Sequence, residues 1–174
     1  MITLITGGTK CGKSGYAERI LEHFIGDKYY IATMNPVGDD AQEIIARHVK
    51  MRCGKNFITI ECLRDIGSVE VTEGCGVLLE CIGNLCANEM FVGSKIYKPA
   101  EKIVDGIRKL SEKTAELVIV TNEVGCDDIE KYSKETIGYI AQMGEINGKI
   151  AAFADNVIEC VYGIPVARKG SLIC

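Results

Sequence analysis

No run of basic residues interrupts this chain, whose 20 Lys and Arg stand against 24 Asp and Glu for a formal net charge of −4. The electrostatic footprint expected of a nucleic-acid binder is missing, so no nucleic-acid partner is expected. Long apolar stretches are scarce as well. The start is apolar for only about five residues before glycine and carries no positively charged leader. Neither a signal peptide nor a membrane span is expected, and the expected location is cytoplasmic. The 9 cysteines are odd in number, and no pair stands at C-x-x-C spacing, which argues against a metal cluster or a disulfide framework. Cys62, Cys81 and Cys160 lie instead in strand-like runs, where free cysteine behaves as a small hydrophobe. Histidine is scarcer still, with 2 in the chain, His23 and His48. What is present is 47% hydrophobic residues in 174, enough for one well-cored domain spanning 1–174 and too few for two of ordinary size.

Gly7-Gly8-Thr9-Lys10-Cys11-Gly12-Lys13-Ser14 meets every position of the pattern G-x-x-x-x-G-K-[ST]. A short buried strand is predicted ahead of it at residues 2–6, and helical apolar spacing follows it at 16–24. Glycines let such a loop curl so that successive N–H groups point at a polyphosphate, and the helix N-terminus adds its positive end. A nucleoside triphosphate is the expected ligand. Lys13 would reach the β and γ phosphates, and the Ser14 hydroxyl would take one position on Mg²⁺. Cys11 occupies a permissive position of the loop.

Strand-like runs recur at 2–6, 29–33, 57–62, 77–81, 117–121 and 157–162, several of them continuously apolar. That is the mark of strands buried on both faces of a parallel sheet. Helical patterns lie between them at 16–24, 41–51, 85–92, 99–113 and 129–154, with Pro99 placed just inside its helix. The expected fold is α/β and P-loop NTPase-like, a mostly parallel sheet with helices on both faces. Residues 163–168 follow the sixth strand too closely for a crossover, so they should turn back as an antiparallel edge strand, a place that tolerates Pro165.

Ligands in such sheets bind at the carboxyl ends of the strands. Glu80 closes the apolar run Val77-Leu-Leu-Glu80, and Glu123 follows the fifth run in the same manner; both are expected to face the phosphate loop, and Glu80 to hold Mg²⁺ directly or through water. His23 reads as a surface residue in the last turn of the first helix. His48 lies in Ile44-Ile-Ala-Arg-His-Val-Lys-Met-Arg52, where Arg52 would sit one turn later with Arg47 and Lys50 flanking. A neutral imidazole is a good nucleophile toward phosphorus, and cations nearby would neutralise the attacked phosphate. An ordinary solvated helical histidine fits the same spacing.

Taken together, Thr6-Gly-Gly-Thr-Lys-Cys-Gly-Lys-Ser14, Tyr30-Ile-Ala-Thr33, Ile45-Ala-Arg-His48 with Arg52, Thr59-Ile-Glu61, Leu78-Leu-Glu-Cys81 with Asn88, and Val120-Thr-Asn-Glu-Val-Gly125 resemble one family. It is that of the bifunctional adenosylcobinamide kinase / adenosylcobinamide-phosphate guanylyltransferases of cobalamin assembly. The resemblance implies two reactions: ATP or GTP phosphorylates the aminopropanol hydroxyl of adenosylcobinamide, and a histidine then takes GMP from GTP and passes it to the cobinamide phosphate. His48 matches that histidine. The family's nucleotide contacts map to residues 7–14, to Ala32, Thr33 and Met34, to Val49, Lys50, Met51 and Arg52, and to Glu61 and Glu80. Assembly as a homotrimer is implied as well. The chain departs from the family pattern at Ile44, at Cys126-Asp-Asp-Ile129, at Tyr139-Ile-Ala and at Asn147-Gly. A single-activity kinase or guanylyltransferase, or a nucleotide-binding module without turnover, therefore stands beside the two-activity enzyme.

Overall fold

The computed structural model describes residues 1–36, 43, 45–46, 50, 53–125 and 131–173. Nine strands appear among them: β1 (Ile2–Thr6), β2 (Lys28–Ala32), β3 (Phe57–Glu61), β4 (Cys75–Glu80), β5 (Phe91–Val92), β6 (Lys95–Ile96), β7 (Thr114–Val120), β8 (Asn156–Val161) and β9 (Ile164–Lys169). The helices are α1 (Lys13–Ile20), α2 (Ile82–Met90), α3 (Ala100–Lys113) and α4 (Lys134–Phe153). Seven strands form one sheet in the order β3-β2-β4-β7-β1-β8-β9, with every neighbouring pair parallel except β8 and β9. The expected α/β architecture is thus observed, down to the antiparallel edge strand.

The apolar runs explain the layering. In β4, Val77, Leu78 and Leu79 are all fully buried, because alternate residues feed cores on opposite faces of the sheet. On one face Ile5, Tyr30, Leu78, Val118 and Ile158 pack against Tyr16, Ala17, Ile20 and Leu21 of the α1 segment. On the other, Leu4, Ile31, Val77, Leu79 and Ile119 pack against α2, α3 and α4. α3 shows the pattern most plainly: Ala100, Ile103, Val104, Ile107 and Leu110 make one buried stripe at helical spacing. Burying each large aliphatic side chain of that stripe stabilises the fold by roughly 1.5–3 kcal/mol. α4 starts where Ser133 accepts a hydrogen bond from the N–H of Thr136, so a side chain satisfies one of the four donors a helix start leaves open.

Local chemistry shifts several predicted boundaries. α1 ends at Ile20 rather than at 24, and the chain continues in tight turns closed by Glu22 N–H to Arg19 and Phe24 N–H to Leu21. His23 is therefore past the helix end, in an exposed turn. Pro99 caps α3 from outside instead of standing in its first turn. The predicted helix at 85–92 begins earlier and stops at Met90. Beyond it Phe91–Val92 and Lys95–Ile96 pair as a small hairpin across Gly93-Ser94, with Gly93 at φ 61. Most of the helix predicted at 41–51 lies outside the described residues, as do 129 and 130. No helix among the described residues is long and apolar enough to cross a membrane.

At the far edge, Val161 pairs with Ile164, so Tyr162-Gly163 is a two-residue turn. Both have positive φ (50 and 85), as a tight hairpin of this twist requires.

Candidate active site

The loop between β1 and α1 is shaped by close approaches. Gly7 has φ 138, and a Cβ there would lie 2.5 Å from the carbonyl oxygen of Cys160 on β8. Only glycine fits that position. Further along, the N–H of Gly163 donates to the carbonyl of Cys11 at 3.0 Å, so the loop rests on the turn of the β8–β9 hairpin. Lys13 opens α1 and is buried; its ammonium donates to the carbonyls of Gly7 (2.9 Å) and Gly8 (2.6 Å). The Cys11 Sγ is 3.8 Å from the same nitrogen. Gly8, Thr9, Lys10 and Gly12 are exposed along the rim.

The next residue of α1, Ser14, donates its hydroxyl to Glu80 Oε1 at the end of β4. Glu80 Oε2 accepts a second hydrogen bond, 3.1 Å long, from the hydroxyl of Tyr30. The sheet register accounts for this meeting. Ala32 of β2 pairs with both Glu61 of β3 and Glu80 of β4, so the three strands end in one row on the face that α1 covers. Glu61 is exposed and Ala32 and Met34 half-buried. Glu123 stands three residues beyond β7, and its N–H reaches the Gly7 carbonyl at 3.3 Å. Of the two acids expected beside the loop, Glu80 meets it through its carboxylate and Glu123 through its backbone N–H.

Thr33, also expected at the nucleotide site, is fully buried and engaged with the backbone. Its hydroxyl accepts from the N–H of Cys81 (2.7 Å) and donates to the Cys81 carbonyl (2.8 Å), while its own carbonyl accepts from Asn88 Nδ2 at 2.8 Å. It clasps the exits of β2 and β4 together. Burial raises the Cys81 thiol above its ordinary range and does the same for Cys62 and Cys160, the small-hydrophobe role predicted for them.

His48, Val49, Met51 and Arg52 lie outside the described residues, and Lys50 is exposed. The turn that follows them does meet the loop helix: Lys55 Nζ is 2.5 Å from Glu18 Oε2. Glu18 is fully buried on α1, and its Oε1 has no hydrogen-bond partner among the described residues. Sequence reasoning gave no site role to Glu18, to Tyr30, or to Asn147, which accepts from Thr121 (2.7 Å) and donates to the Asn122 carbonyl (3.3 Å). The signal for Tyr30 is its spacing of two from Ala32, which puts both on one strand face. It becomes readable only once β2 is known to lie beside β4.

Mg²⁺ fits this arrangement. It prefers oxygen donors, and it commonly takes one or two protein oxygens with substrate phosphates and water completing the shell. Ser14 Oγ and the Glu80 carboxylate are hard oxygen donors in contact beside the phosphate loop. No group of three or more His, Cys, Asp or Glu that could hold a metal ion by itself is found among the described residues.

Comparisons with known proteins agree with the geometry. Residues 3–167 match the family described as cobinamide kinase / cobinamide phosphate guanyltransferase. Over 97% of its length the chain is 30% identical to the bifunctional adenosylcobalamin biosynthesis protein CobU of Salmonella typhimurium, and equally so to that of Escherichia coli, covering 100% of each. Among solved structures it resembles a prototypical ATPase from a bacterial type III secretion system, with a TM-score of 0.53 at 10% identity. That likeness covers 96% of this chain but only 56% of the ATPase, and it speaks to the fold alone. With the match extending across nearly all of its length, the chain belongs to the cobinamide kinase / cobinamide phosphate guanyltransferase family.

Proposed function

We propose that this chain is a bifunctional enzyme of cobalamin biosynthesis: it phosphorylates adenosylcobinamide with ATP or GTP, then transfers GMP from GTP to the product to give adenosylcobinamide-GDP. The observation that carries this reading is the Lys13, Ser14 and Glu80 constellation at the mouth of the phosphate loop. In the kinase step the loop N–H groups and Lys13 hold the triphosphate and neutralise charge that builds on its terminal group. The substrate hydroxyl attacks the γ phosphorus, and the bond to the β-phosphate oxygen breaks. Glu80, whose carboxylate meets Ser14, and Glu123, whose backbone meets the loop, are the acids this reading assigns to take the hydroxyl proton. Ser14 and Glu80 would hold Mg²⁺, which would supply charge neutralisation for the triphosphate.

In the second step a His48 ring nitrogen attacks the α phosphorus of GTP. A P–N bond forms, the P–O bond to the β phosphate breaks, and pyrophosphate leaves. A phosphate oxygen of cobinamide phosphate then displaces the histidine. Arg52 and Lys50 are the cations assigned to the attacked phosphate, with Val49, Met51, Ala32, Thr33, Met34 and Glu61 completing the nucleotide contacts of this reading. The family resemblance supports a homotrimer, for which sedimentation would return three times the 19.0 kDa chain mass. Cytoplasmic location belongs to the same reading, since both nucleotides come from that pool.

The deciding experiment is incubation with GTP labelled at the α phosphate. An acid-labile, base-stable protein adduct is expected in the wild type and none in His48→Ala. Label retained by the variant would refute the histidine mechanism.

A further inference from the structure

Tyr30 is buried, and its hydroxyl is the one polar atom its side chain brings into the core under α1. A buried tyrosine tip of this kind normally finds a partner. Here the partner is Glu80 Oε2, 3.1 Å away, while Glu80 Oε1 accepts from Ser14. The sheet makes the reach inevitable. Tyr30 pairs with Leu78 and Ala32 with Glu80, so Tyr30 and Glu80 are diagonal neighbours on the same face of adjacent parallel strands. The ring itself is steadied by an edge-to-face contact with Phe57 of β3, with centroids 6.5 Å apart at 78°.

The terminal torsion of a glutamate is broad and nearly two-fold, so rotamer preference alone does not orient its carboxylate. Donors must do it. With one oxygen held by Tyr30 and the other by Ser14, the carboxylate plane is set relative to the loop helix. We propose that Tyr30 is a positioning residue for the metal–nucleotide site: its hydroxyl fixes the Glu80 carboxylate so that Ser14 and Glu80 present their oxygens together to Mg²⁺. This rests on the reading above that Mg²⁺ binds at Ser14 and Glu80. In this proposal Tyr30 acts through Glu80.

The test is the affinity of a fluorescent N-methylanthraniloyl derivative of guanosine 5′-[β,γ-imido]triphosphate, measured across a Mg²⁺ series and in EDTA. Tyr30→Phe keeps the ring and removes only the hydroxyl. Losing a hydrogen bond to a charged group is worth roughly a tenfold change, so the Mg²⁺ midpoint should rise by about that factor. Affinity in EDTA should stay within about twofold of wild type, which also shows that the loop is still folded. In a Glu80→Gln background, Tyr30→Phe should add nothing further to the midpoint. An unchanged midpoint in Tyr30→Phe alongside a raised one in Ser14→Ala would overturn the proposal and leave the metal reading standing. An equal loss with and without Mg²⁺ would also overturn it, showing a merely structural tyrosine. If Ser14→Ala and Glu80→Gln both leave the midpoint where it was, the metal reading falls and this proposal with it.

Discussion

Glu123 donates its backbone N–H to the carbonyl oxygen of Gly7, 3.3 Å away, and that same oxygen accepts from the Lys13 ammonium at 2.9 Å. The first glycine of the phosphate loop is therefore gripped from two sides, by the exit of β7 and by the start of α1. Removing Lys13 breaks one grip and deletes the charge meant for the terminal phosphate. Lys13→Ala should reduce phosphate transfer from γ-labelled nucleotide to adenosylcobinamide by roughly 10²–10³-fold, as for other pre-organised charge-stabilising donors. Retention of a tenth of wild-type transfer would remove Lys13 from the mechanism.

Gly7 itself has no room for a side chain. Its φ of 138 is a conformation L residues rarely adopt, and the added methyl would press on the Cys160 carbonyl. Gly7→Ala should cost about 2 kcal/mol or more of stability in urea unfolding and weaken nucleotide binding together with it. A variant of normal stability and affinity would mean that the loop adopts another path.

The pairing of Glu18 with Lys55 joins the loop helix to the turn before β3, with Glu18 fully buried and the Lys55 side chain 29% exposed. Breaking a pair of this kind leaves a buried charge behind. Lys55→Met should destabilise by about 3 kcal/mol, whereas the double variant Glu18→Leu, Lys55→Met should recover much of the loss. Additive costs in the double-mutant cycle would show that the contact contributes nothing.

Burial pushes the Cys86 thiol up to about 12 from its ordinary 9.0, and it raises Cys62, Cys75, Cys81 and Cys160 as well. Tyr139, also desolvated, moves from 10.0 to about 12. The sign follows from linkage: these groups stay protonated when folded but ionise in the unfolded chain. Stability should hold below about pH 9 and fall as pH rises toward 12. Chemical unfolding at stepped pH reads this directly, and a flat profile over that interval would contradict it. At pH 8 a thiol reagent should modify exposed Cys53 before denaturation and Cys86 only after it.

Much of this architecture is legible in the chain because its strands are buried on both faces. The run Val77-Leu-Leu-Glu80 announces a central parallel strand and, by its last residue, an acid at the carboxyl end. The closing hairpin is equally readable from the short interval after β8. Less legible were features that depend on what lies beside what. The hairpin at Phe91–Val92 hides inside a helical pattern because nothing but Gly93-Ser94 punctuates it. The clasp that the Thr33 hydroxyl makes on the Cys81 backbone is likewise unreadable from the sequence. Tyr30 is invisible as a site residue until β2 is placed against β4, and Glu18 until the turn at Lys55 is folded back onto α1. Strand order is a property of long-range contacts, and local periodicity does not encode it.

The phosphate loop at residues 7–14 rests on Cys160 and on the N–H of Gly163, far later in the sequence. During synthesis the motif leaves the ribosome before β8 and its turn, and it lacks that support until they have followed. Nucleotide capture thus waits on β8 and the turn at Gly163, and nascent fragments ending before residue 160 should carry the whole motif without the capacity to hold its ligand.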